Sequence, residues 1–216
     1  MPILMRSPDE VGSWIWYVEA PENPDIRDCL DVLARVAGVL ENHDLMKSNV
    51  IETCWNQYGK GKIGIWTKSS LNTPFSDPSS AEFVQQSKPA GFPDSYADYI
   101  ETVSLGTWID ETGRRRQELQ LINLSISPEP GEIQVEIRVH HDIWSWYDFS
   151  GHPHPKVYKQ NAPRLAAALE EVGKTLEVDT ENGESTYFGV SEGFWIKRPD
   201  EEDLVDGLAM DATDRL

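Results

Sequence analysis

Between positions 133 and 140 the chain alternates without a break: Ile133, Val135, Ile137 and Val139 are apolar, and Gln134, Glu136, Arg138 and His140 are polar. Side chains on a strand point to opposite faces with a period of two, so this stretch demands a sheet with one buried and one solvated face. Such a strand needs a covering layer on one side and partner strands at its edges. The segment Glu118 to Ile126 is the expected partner, joined through the hairpin loop Ser127-Pro128-Glu129-Pro130-Gly131-Glu132. Its apolar positions run Leu119, Leu121 and then Ile122, Leu124, Ile126, a change of phase that predicts a bulge near 121–122 or burial of both faces. Trp108 to Arg116 is expected to supply a preceding strand and turn.

Further strands are expected at Ser13 to Val18, Val50 to Trp55 and Lys62 to Thr67, with Thr186 to Val190 and Phe194 to Ile196 closing the fold. Two segments carry helical periodicity. Ile26, Leu30, Leu33, Ala37 and Leu40 follow an Asn23-Pro24 start, and Leu165, Leu169, Val172 and Leu176 follow Asn161-Ala162-Pro163. A shorter helix is expected from Tyr96 to Val103. The fold class is therefore α+β, a mainly antiparallel or mixed twisted sheet of about six or seven strands with two amphipathic helices packed on one face. Residues 1–197 are expected to form a single domain. Within it 69–94, rich in Ser and Pro, reads as a long surface loop with one helical turn at 81–85, and 198–216 reads as an acidic, largely solvated tail.

Charge narrows the partners. Thirty-seven acidic residues against nineteen Lys and Arg give a formal net charge of −18, which repels nucleic acid phosphates and anionic membrane surfaces and favours a basic partner. No stretch approaches the roughly 20 apolar residues of a membrane span, and the N-terminal residues lack the pattern of a secretory signal. With only Cys29 and Cys54, no disulfide framework is expected, and cytoplasm is the expected compartment. Arg114-Arg115-Arg116 is too small a basic run for a nucleic-acid patch and is expected to pair with neighbouring acids.

Four of the five histidines fall between His140 and His154, among Asp142, Trp144, Trp146, Tyr147, Asp148 and Phe149. Three readings of this segment compete. His152 and His154 could join His140 or His141 and Asp142 or Asp148 around a zinc-like divalent metal, since imidazole and carboxylate are its ligands. A histidine oriented by Asp142 or Asp148 could act as a general base. Or the segment is a packing junction or a recognition patch, with Trp144, Trp146, Tyr147, Asp148 and Asp142 as partner-binding residues, because aromatics and a few charges dominate protein interfaces. Strand alternation puts His140 and His141 on opposite faces, which works against both ligating one ion.

Two motif matches fail on context. Gly59-Lys60-Gly61-Lys62-Ile63-Gly64 is followed by a strand-like run rather than a helix, and Gly189-Val190-Ser191-Glu192-Gly193 has no histidine downstream. No complete catalytic constellation is left. The expected function is an acidic cytoplasmic binding protein, without cofactor, that recognises and neutralises or adapts a basic protein partner, as a toxin-immunity protein does. The alternatives are a metal-dependent hydrolase built on His140, His141, Asp148, His152 and His154, and an acidic inhibitor that mimics nucleic acid.

Overall fold

Fifteen consecutive residues, Ser95–Ile109, form one strand, β4, that links the two halves of the sheet. In the computed structural model, which describes residues 4–200 together with Glu202, Leu204, Gly207 and Leu208, β4 lies between β2 (Lys47–Gln57) and β6 (Asn123–Glu129). Beyond β2 lies β3 (Gly61–Ser70). Beyond β6 come β7 (Glu132–Val139), β1 (Gly12–Glu19) and the short β8 (Glu181–Asn182). The order is β3-β2-β4-β6-β7-β1-β8, and β5 (Arg115–Leu119) pairs with the outer end of β4, so the sheet has eight strands, all pairings antiparallel. A separate hairpin joins β9 (Ser191–Glu192) and β10 (Trp195–Ile196).

Three helices, α1 (Ile26–Asn42), α2 (Pro78–Gln86) and α3 (Pro155–Leu176), lie on one side. The alternation in β7 explains why. Ile133, Val135, Ile137 and Val139 are essentially inaccessible, as are their cross-strand neighbours Trp14, Trp16, Leu124 and Ile126. These meet Leu30, Leu33 and Leu40 of α1 and Leu165, Leu169 and Val172 of α3 in one core. Full burial of each such side chain contributes about 1.5–3 kcal/mol, which is ample to hold the helical layer in place. Among the described residues no helix is long and apolar enough to cross a membrane.

Several elements depart from the sequence expectation, each for a local reason. Residues 96–103 are strand: a bulge at Asp98 puts Ala97 and Ile100, three apart, on the same buried side of β4, while Val103 lies on the other side with Glu101. The segment 118–126 is two strands, since Gln120 adopts φ 51° between β5 and β6, and Leu121 and Ile122 are both buried at the break. Helix α1 begins after Asp25, whose carboxylate accepts the backbone N–H groups of Arg27 and Asp28 at 2.7 and 3.0 Å while Asp28 returns the bond to Asp25, a better cap than Asn23. Helix α3 starts six residues early, with Pro155 in its first turn, and runs through Pro163. The 69–94 segment holds the nine-residue α2, capped by Asp77. Residues 186–190 form no strand, and the rest of the 198–216 segment lies outside the described residues apart from positions 198–200, 202, 204, 207 and 208.

Helix α3 is fastened to the far end of β4 by polar contacts. Asn161, fully buried, donates from Nδ2 to the Ile109 carbonyl and accepts the Ile109 N–H on Oδ1, both at 2.8 Å. One turn on, Arg164 donates to the carbonyls of Thr107 (3.0 Å) and His43 (2.8 Å). In the same region Gly106 lies so close to the α1–β2 loop that a Cβ would come 2.2 Å from the Leu45 carbonyl oxygen, so only glycine fits. Replacing Asn161 by Ala leaves two buried backbone groups without partners, each costing about 1–3 kcal/mol. Asn161→Ala should therefore lower unfolding free energy by roughly 3 kcal/mol in urea titrations; a loss below about 1 kcal/mol would show that this fastening is dispensable.

Candidate functional site

The histidine-rich segment is a chain crossing, not a ligand cluster. Past the end of β7, His140 and His141 are 8% and 1% exposed, covered by the N-terminal segment through the Arg6–His141 bridge and the Ser7 N–H bond to the His140 carbonyl. Burial, with Arg6 next in weight, lowers the affinity of both rings for a proton, and His141 falls to about 4. The chain then makes a single 3-10 turn, Asp142–Trp144. Of the expected partner-binding residues, Trp144, Tyr147 and Asp142 are buried there, so no partner can reach them in this fold. Trp146 is partly buried, edge-on to Tyr158 at 5.4 Å, with the Arg198 guanidinium 4.2 Å above its ring.

The expected metal ligands are likewise spoken for. Asp148 accepts the backbone N–H groups of Ser150 and His152, both at 2.9 Å, and so shapes the turn before α3. Nε2 of His154 lies 2.9 Å from the Ser145 carbonyl, and His152 is exposed with Nδ1 3.9 Å from Asp148. His140 sits beneath the N-terminal segment. Among the described residues no three His, Cys, Asp or Glu side chains are gathered so that they could hold a metal ion. Proline and turn geometry spread the four histidines around a bend, whereas a metal centre needs their nitrogens to converge. The fifth histidine, His43, pairs with Glu171 at 2.8 Å and ties α1 to α3.

The rejected motifs and the arginine run also resolve into structure. Ser191 exchanges hydrogen bonds with the Ser13 N–H and carbonyl, both at 3.0 Å, which leaves its hydroxyl committed to the backbone. Gly59 to Gly64 form the β2–β3 turn and the start of β3. Arg116 pairs with Asp110 at 2.9 Å and Arg115 with Asp44 at 2.9 Å. Asp110 also accepts from the Thr112 hydroxyl and from the Thr112 and Arg114 N–H groups, which hold its carboxyl far below the usual range.

The exposed chemistry lies instead on the face of the sheet that, among the described residues, is free of helices. Cross-strand register places Lys68, Glu52, Glu101, Ser125, Glu136, Ile15 and Glu181 on one rung that spans the seven strands from β3 to β8. The row beside it contains Trp66, Cys54 and Tyr99, and on the far strands Ser127, Gln134 and Tyr17. A third row, at the β6–β7 hairpin, sets Glu129, Glu132 and Glu19 side by side. Five large hydrophobic side chains belong to this face or its rim: Tyr58 is 81% exposed, Leu119 58%, Trp66 49%, Leu105 40% and Tyr17 38%. Tyr58 packs on Tyr96 with ring centroids 4.9 Å apart.

At the centre of the face Arg138 contacts Glu101 at 3.3 Å and Glu136 at 3.7 Å, bonds the Tyr99 hydroxyl and lies 5.9 Å from the centre of the Tyr99 ring. Asn123 donates to the same Glu101 oxygen at 2.8 Å. Burial raises Glu136, with the carboxylates of Glu10 and Glu101 adding to the rise and Arg138 opposing it. Burial also pushes the Tyr99 hydroxyl up to about 12, so it stays protonated. In the sequence the signal of this face lies in the polar half of the β7 alternation and in Glu52 between Ile51 and Thr53.

Comparison with protein-family models, with curated proteins and with solved structures yields no match to this chain.

Asp142 gives the crossing a pH signature. Burial pushes its carboxyl from 3.8 up to about 7, against a backbone hydrogen bond from Phe149. Between these values the folded state holds a proton that the unfolded chain releases, so this group's contribution to stability falls as pH rises from about 4 to 7 and stays low above. His141, depressed to about 4 from 6.5, has the opposite slope between those values. Asp142→Asn should isolate the first effect: relative to wild type it should gain stability on the order of 3 kcal/mol at pH 8 and gain none at pH 4. Equal effects at the two pH values in thermal unfolding would refute this assignment.

Proposed function

We propose that this chain is an acidic cytoplasmic binding protein that recognises a basic protein partner and neutralises or adapts it, as a toxin-immunity protein does. The observation that carries the reading is the helix-free sheet face. A rung with four glutamates and a second with three lie beside exposed Tyr and Trp side chains. Aromatics supply contact area at interfaces, and carboxylates of one sign steer an oppositely charged partner and fix its register. The formal net charge of −18 extends that field over the whole molecule and disfavours nucleic acid and anionic lipid. Among the expected contact residues, Trp146 and Asp148 keep some exposure; the open face takes over the role first given to Trp144, Tyr147 and Asp142.

The glutamates also argue against a second copy of the same chain as occupant, since two such faces would set like charges against each other. The reading is tested with a partner recovered from the native cell by cross-linking, then purified and titrated against wild type and against a Glu19→Lys/Glu52→Lys/Glu132→Lys variant. A basic protein binding at one-to-one stoichiometry is expected, with an association rate that falls at least tenfold between about 50 and 300 mM salt, and the triple variant should bind at least a hundredfold more weakly. An acidic or neutral partner, or binding indifferent to salt and to the three reversals, would overturn the proposal.

A further inference from the structure

Resting on that reading, we infer that the β3–β2–β4 part of the open face is a slot for one arginine side chain of the partner, framed by Glu52, Glu101, Trp66 and Tyr99. Glu52 and Glu101 are directly opposite on neighbouring strands, where Cβ atoms are about 5 Å apart. Lys68 engages Oε1 of Glu52 at 3.1 Å, and Asn123 and Arg138 both engage Oε1 of Glu101. The second oxygen of each carboxylate takes no hydrogen bond from the described residues.

The free oxygen of each carboxylate is an acceptor, which calls for a cationic donor. Trp66 and Tyr99 form the wall, edge to face at 5.9 Å, and Trp66 is half-exposed. A guanidinium satisfies both demands, because its planar fork bonds two carboxylates at once and its faces stack on aromatic rings, whereas an ammonium offers a point charge and no plane. The face already accommodates one such group: Arg138 lies against the Tyr99 ring and pairs with Glu101 and Glu136. The incoming arginine would take the opposite side of Glu101, toward Glu52 and Trp66, and so complete a row in which carboxylates and guanidinium groups alternate.

The full chain, labelled with ¹⁵N, can be titrated with a hexa-arginine peptide and with a hexa-lysine peptide, following the tryptophan indole signals, with that of Trp66 assigned from Trp66→Phe. Hexa-arginine should shift the Trp66 indole signal saturably and bind at least fivefold more tightly than hexa-lysine. Glu52→Gln/Glu101→Gln should weaken it at least tenfold, while Asp31→Asn/Glu41→Gln, which removes the same charge from the exposed side of α1, should change it less than twofold. Should the glutamine pair not fold, as judged by spectral dispersion, Trp66→Ala at its half-exposed site gives the same test and should weaken binding at least threefold. Equal weakening by both charge-removing pairs, equal affinity for the two peptides, or no response of Trp66 would overturn the slot. If the purified partner bound normally to Glu52→Gln/Glu101→Gln, the slot would fall and the broader binding reading would stand; a partner blind to the whole face would remove the broader reading itself.

Discussion

Among the described residues the helices cover the sheet from one side only, and the structure depends on that arrangement. Because α1, α2 and α3 all pack on the same face, each long strand must divide its side chains between a dry side and a wet side, and the period of two in β7 is that division written out. The long β4 carries the arrangement across the molecule, and α3 holds β4 through Asn161 and Arg164 where apolar contact alone would leave the Ile109 backbone unpaired. Everything exposed on the second face is then exposed by topology, whatever its hydrophobicity. That is why Trp66 and Leu119 stand in solvent while Trp14, Trp16 and Trp55 do not.

Strand and helix were legible wherever one physical signal dominated. In β7 the alternation is complete, and in α1 the apolar stripe has no competing period, so both lie close to where their patterns place them. Legibility failed where two signals overlapped. The bulge at Asp98 inserts one residue into β4 and puts Ala97 and Ile100 on one side at a spacing of three, which breaks the strand's period there. Leu121 and Ile122 look like one strand changing phase, but the left-handed backbone of Gln120 shows two strands meeting at a corner. Pro163 reads as a helix start because proline suits the first turn, yet its missing N–H is tolerated within α3, where Pro155 already occupies that first turn.

The candidate site was less legible than the fold, for a different reason. A cluster of histidines in sequence says only that they are near one another along the chain, and the 3-10 turn at Asp142–Trp144 and the turn at Asp148 disperse them within a few residues. The open face has the opposite character. Its members, Glu52, Glu101, Glu136 and Glu181, come from four strands far apart in sequence, and only the register brings them onto one rung. Alternation announces that each is solvent-facing. It does not announce that they are neighbours, because strand order is set by packing of the buried side.

That rung bears on stability as well as on binding. Like charges directly opposite on neighbouring strands oppose folding, and this face contains them at Glu52–Glu101 and again at Glu129–Glu132–Glu19. Lys68 and Arg138 offset the first opposition, while no ion pair reaches the second among the described residues. Water screens such charges to about 1 kcal/mol or less per pair, which explains how the sheet tolerates them without explaining why they accompany exposed aromatics. Folding alone would be better served by mixed signs beside Tyr17, as beside Trp66 on β3, where Lys62 and Lys68 guard the edge. A face that leaves its hairpin glutamates without ion pairs among the described residues and its aromatics exposed suits a surface whose missing positive charge arrives with a partner.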